Sequence, residues 1–80
     1  MFAVYVLESD RDGKLYIGVT GNIEQRLKYH NWGKVRSTKG RRPFRLLGHK
    51  EFATFDKARS AEVNLKRLKD PAKVRAWILT

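Results

Sequence analysis

The 80-residue sequence contains no cysteine, which excludes disulfide bonds and thiolate metal sites. That absence suits a reducing compartment, and the cytoplasm is the expected location. The sequence also lacks any apolar run near the roughly 18 residues that a membrane span needs. Its opening residues follow no signal-peptide pattern, so a membrane partner is not expected. Acidic residues are scarce: eight Asp and Glu stand against eighteen Lys and Arg, for a formal charge of +10. Acid is missing altogether from Gln25 to Lys50, a segment that holds nine Lys and Arg. One-signed clustering of this kind calls for a polyanion, most often nucleic acid. No repeat or linker interrupts the chain, and no zinc finger or separate recognition helix fits within it.

What is present fits one small domain, residues 1–80. A hydrophobic content of 41% supports a single core, and a chain of this size buries only roughly 60% of its unfolded surface. Phe2 to Leu7 is an unbroken apolar and aromatic run, which predicts a strand covered on both faces and therefore central. Asp12-Gly13 within Glu8 to Lys14 predicts a hairpin turn, and Leu15 to Thr20 reads as the returning strand. A helix is expected from about Asn22 to His30, capped by Asn22 or Thr20 and stopped by Asn31-Trp32-Gly33. Lys34 to Pro43 is a polar, basic loop, long enough to suggest function. Phe44 to Phe52 reads as a third strand, with Phe44, Leu46 and Leu47 as its apolar part. Thr54 or Asp56 caps a second helix, about Lys57 to Lys69, with Ala58, Ala61, Leu65 and Leu68 as its buried stripe. Asp70-Pro71 opens a third helix, whose apolar side is Val74, Trp77 and Ile78. The expected fold is α+β: a three-stranded, largely antiparallel sheet with flanking helices, in the order strand-strand-helix-strand-helix-helix.

The candidate chemistry lies at the junction of the second strand and the first helix. Tyr16-Ile17-Gly18 sits in that strand, Tyr5 in its partner, and ten residues separate the two tyrosines. Arg26 and His30 are four apart and share a helical face. Glu62 is the acidic residue on the apolar side of the second helix. A planar arginine fork suits phosphate oxygens, a histidine exchanges protons near neutral pH, and a lone carboxylate suits a magnesium ion that keeps most of its water. Each residue also has a plainer reading. The tyrosines are ordinary strand aromatics, Gly18 marks a close backbone approach, and His30 is a cation at a helix end. Glu62 pairs with Lys66 at i, i+4, and Trp32 seals its helix more readily than it stacks on a base.

Taken in order, Tyr5, Tyr16-Ile17-Gly18, Arg26 with His30, and Glu62 resemble the GIY-YIG nuclease domain family. The likeness covers about Phe2 to Leu68 and is closest to the small stand-alone bacterial members; it is also similar to the N-terminal catalytic domain of the excinuclease C subunit. The first tripeptide departs from the pattern, as Ala3-Val4-Tyr5. The resemblance implies a divalent-metal-dependent endonuclease cutting one DNA strand per event, as in DNA repair. It implies Tyr5 or Tyr16 as base or proton relay, Arg26 as charge stabiliser, Glu62 as ligand to Mg²⁺ or Mn²⁺, and, in some members, His30. Lys34, Arg36, Lys39, Arg41 and Arg42, with Ser37 and Thr38, are expected to touch phosphates, which position a duplex without reading its sequence. The expected partner is DNA, branched or nicked, with RNA also open, and a monomer is the expected state. The rival readings are a catalytically inactive nucleic-acid-binding module of the same fold, or a basic RNA- or ribosome-associated protein.

Overall fold

In the computed structural model, which describes residues 1–80, the first strand is the axis of the molecule. Strand β1 (Phe2–Ser9) is paired antiparallel on one side with β2 (Leu15–Thr20) and on the other with β3 (Phe44–Phe52), in the order β2-β1-β3. Every residue from Ala3 to Ser9 is buried. This is why the run carries no polar alternation: side chains alternate across the strand, and both faces are covered. Val4 and Val6 point to one core, shared with Ala58, Leu65, Val74 and Ile78. Tyr5 and Leu7 point to the other, shared with Phe44. Full burial of side chains like Leu65 stabilises by about 1.5–3 kcal/mol each.

Three helices close these faces: α1 (Ile23–Trp32), α2 (Phe55–Leu68) and α3 (Pro71–Leu79). Their ends follow from local chemistry. The Asn22 side chain accepts the Gln25 N–H at 3.0 Å, Thr54 accepts the Lys57 N–H at 3.2 Å and Asp70 accepts the Ala72 N–H at 2.9 Å, each satisfying a donor that the first turn leaves open. No helix is long and apolar enough to cross a membrane.

The α+β class, the central first strand and the bounds of β2 and β3 follow the sequence expectation. Several details differ. β1 runs on to Ser9, because Glu8 is held inside the sheet by Arg45 of β3 and Arg75 of α3 rather than released into the turn. α1 runs to Trp32 and not to His30. Gly33 ends it in the left-handed conformation, with its N–H on the His30 carbonyl and the Lys34 N–H on the Tyr29 carbonyl, the paired bonds of a Schellman cap. Leu68, expected in the buried stripe of α2, is 41% exposed because the helix ends there and turns away. The basic loop contains one short 3₁₀ turn, Lys39–Arg41. Asn31 fixes its far end: the amide accepts the Phe44 N–H at 2.7 Å and donates to the Phe44 carbonyl at 3.1 Å.

Candidate active site and nucleic-acid face

Antiparallel pairing sets Tyr5 opposite Gly18 and Leu7 opposite Tyr16, so both tyrosines lie on the sheet face that α1 covers, their rings 6.2 Å apart. Gly18 makes the arrangement possible. A β-carbon there would stand 2.5 Å from the Tyr5 hydroxyl oxygen, so the Tyr5 ring lies across bare backbone.

Arg26 and His30, one turn apart on α1, both reach that hydroxyl. Arg26 Nε donates to Tyr5 Oη at a long 3.4 Å, and Tyr5 Oη lies 3.0 Å from His30 Nε2. The other imidazole nitrogen, Nδ1, is 2.8 Å from the Thr38 hydroxyl, which in turn donates to the Val35 carbonyl at 3.3 Å. The chain of bonds assigns the protons. Thr38 gives its hydrogen to Val35 and so accepts from His30 Nδ1–H, which leaves Nε2 bare to accept from Tyr5. The Tyr16 ring meets His30 edge to face at 4.8 Å.

Charge follows from burial. His30 is fully enclosed, and burial, then the Arg26 cation, lowers its pKa from 6.5 to about 4. It is therefore a neutral imidazole at pH 7 and not a helix-end cation. Burial also raises the Tyr5 phenol above its ordinary value, more than the Arg26 hydrogen bond lowers it. The hydrogen bond to Tyr5 raises Arg26. The centre of the site is thus a phenol between one cation and one neutral base.

Glu62 stands on α2, half-buried, with Lys66 Nζ 3.4 Å from its carboxylate. Its charge is felt at Tyr5, where it opposes ionisation. No group of three or more His, Cys, Asp or Glu side chains converges anywhere in the chain. The donor set is a single hard carboxylate, close enough for its charge to act on the Tyr5 phenol, with no sulfur. That fits Mg²⁺ or Mn²⁺ retaining most of its water, provided that Lys66, 56% exposed, swings aside.

The expected phosphate contacts divide. Lys34, Arg36, Lys39 and Arg42 are exposed. The Arg42 guanidinium lies over Gly33, with Nε on the Lys39 carbonyl at 2.8 Å. Arg41 is turned inward. Its Nε faces Asp12 at 3.3 Å, its Nη2 reaches the Leu15 carbonyl at 3.5 Å, and it lies 5.7 Å over the Phe44 ring. Thr38 is buried behind His30 and is out of reach of a phosphate. The acid-free segment is also less unpaired than its sequence suggests: Arg45 binds Glu8 and Asp10, and Lys50 lies 4.1 Å over Trp77. Sequence reading missed Thr38 as the partner of His30, and no local signal marks it.

Comparison with known proteins places the chain in a family. The family model described as the GIY-YIG catalytic domain matches residues 1–75. A UPF0213 protein of Streptococcus pneumoniae is 46% identical over 71 residues, 88% of this chain and 71% of its own length. A UPF0213 protein of Bacillus licheniformis is 47% identical over 72 residues, 89% of this chain and 73% of its own. The solution NMR structure of the UPF0213 protein BH0048 from Bacillus halodurans aligns with a TM-score of 0.60 at 35% identity, over 100% of this chain and 86% of that one.

Proposed function

The chain belongs to the GIY-YIG catalytic domain family, and from that membership we propose that it is a nuclease hydrolysing a phosphodiester bond of DNA, one strand per event, with a divalent metal ion. The observation that carries the reading is the convergence of Arg26 and His30 on the Tyr5 hydroxyl. Two side chains of α1 meet one phenol oxygen of β1; a buried hydroxyl needs a partner, but one of these is a cation, which burial alone does not require.

The chemistry proceeds from these bonds. The attacking water gives its proton to Tyr5 Oη as Tyr5 gives its own to His30 Nε2, so no free phenolate has to form. A phenol held above its ordinary pKa by burial suits such a relay better than it suits a preformed base. Neutral His30 keeps Nε2 open to receive the proton. Arg26, already beside Tyr5, presents its remaining N–H groups to the non-bridging oxygens as negative charge builds on phosphorus. Tyr16 walls the other side. Glu62 would hold the metal ion, which would supply positive charge to offset the negative charge developing on the phosphate. Lys34, Arg36, Lys39 and Arg42 would seat the backbone, with Arg41 bracing the loop that carries them.

One observation favours the catalytically inactive binding module: the Lys66 ammonium beside Glu62 neutralises the carboxylate that a metal would need. Incubating the purified chain with linear, nicked and branched DNA, with Mg²⁺, Mn²⁺ or a chelator, separates the two. Metal-dependent nicks support the nuclease, and tight binding without nicks supports the silent module.

A further inference from the structure

On the outer side of α1, Trp32 is 61% exposed, and its only aromatic neighbour is Tyr29, ring centroids 6.1 Å apart at 43°. Trp32 does not seal the helix, because the Gly33 cap already satisfies the last carbonyls. Nor does it serve the core, since most of its surface meets solvent. An exposed tryptophan leaves a large apolar area in water. Together, Trp32 and Tyr29 edge a shallow hollow along α1. Lys28 lines it and is exposed, and just past the end of α1 Lys34 is exposed and Arg42 covers Gly33. The one acid of the hollow, Glu24, lies in the opposite, first turn of the helix.

We infer that Trp32 and Tyr29 form a stacking platform for an unpaired base of a single-stranded DNA arm next to the cut. The inference rests on the nuclease reading and names its substrate class. Three arguments select this occupant. Bases within a duplex are already stacked, so an aromatic platform gains only from one that is unpaired. The flanking cations complement a phosphate backbone and oppose a second copy of a chain whose formal charge is +10. The platform is also on the helix that carries Arg26. Arg26, Tyr29 and Trp32 follow one another at intervals of three, and six residues of helix span about 9 Å. That is about two to three nucleotides at the rise of a duplex strand.

The test measures binding of the full chain, in chelator, to three DNAs: a blunt duplex, the same duplex with a short single-stranded arm, and the armed duplex with its arm made abasic. Wild type should prefer the base-bearing arm to the abasic one. Trp32→Ala should lose on the order of ten-fold in affinity for the armed duplex and less than two-fold for the blunt one, while Trp32→Phe should retain most of the preference. Equal wild-type affinity for the base-bearing and abasic arms overturns the platform and needs no variant. So does an equal loss on blunt and armed DNA, or a wild-type dimer in sedimentation that Trp32→Ala dissociates. Binding to none of the three sinks the DNA reading and the platform with it. Binding and cutting without arm preference sinks the platform alone.

Discussion

Gly18 and Tyr5 face each other across the β1–β2 ladder, and the absent side chain of one is the space occupied by the hydroxyl of the other. An added methyl at position 18 would meet Tyr5 Oη at 2.5 Å. Gly18→Ala should therefore destabilise the fold by about 1–3 kcal/mol, as overpacking does. It should also shift the hydroxyl away from Arg26 and His30 and lower the cleavage rate. Gly40→Ala, with nothing within 4 Å of the new carbon, should change neither. Denaturant melts and rates for the two variants check this together.

Acid should unfold the protein through His30. Its folded pKa is about 4 against 6.5 when solvated, so between those values the unfolded chain binds the proton and the folded one does not. Stability is then fully present above pH 6.5 and falls as the pH drops toward 4, by up to about 1.4 kcal/mol per pH unit. Glu8, held below the usual carboxylate range chiefly by Arg75 and then by Arg45, adds a further loss below its own unfolded pKa. Thermal melts from pH 7 to 5 should show a shallower slope for His30→Gln than for wild type. The same slope would place the titration elsewhere.

DNA binding should weaken steeply with salt. Five neutralised phosphates give a slope of about −4 to −5 in log affinity against log salt. Arg36→Ala with Lys39→Ala should flatten it by about two. Arg41→Ala should leave the slope nearly unchanged and lower the melting temperature instead, because its partners are Asp12, the Leu15 carbonyl and Phe44.

Much of this is legible in the sequence, and for physical reasons. A central strand must be apolar throughout, and β1 is. Asp70-Pro71 and Asn22 mark helix starts because cap chemistry is local. The Tyr5–Arg26–His30 cluster follows from a motif read in order. What stays hidden depends on contacts between distant residues. The acids that pair with Arg41 and Arg45 lie in the hairpin, far along the chain from the basic segment. Thr38 reads as one more polar loop residue until the loop folds it behind His30. Trp32 reads as a helix seal, although the glycine after it fills that role.

The catalytic side chains should separate by rate. Tyr5→Phe removes only a hydroxyl, and losing a proton relay costs on the order of 10²–10⁴ in rate. Tyr16→Phe should cost less, because Tyr5 is the tyrosine bonded to a proton acceptor. Arg26→Ala should cost at least as much as Tyr5→Phe and should also weaken substrate binding, which Tyr5→Phe should not. Single-turnover rates on one nicking substrate decide it. Two tyrosine variants cutting as fast as wild type would make both residues core aromatics.

The most direct measurement compares wild type with Glu62→Gln on one armed DNA, recording nicking in Mg²⁺ or Mn²⁺ and binding in chelator. The amide keeps the shape of a half-buried carboxylate but not the charge that would hold a metal ion. Wild type should nick only with metal present, and Glu62→Gln should bind about as well and not nick. Equal nicking by the two proteins, or none by wild type under any metal, would contradict a metal-dependent nuclease centred on Tyr5, Arg26 and Glu62.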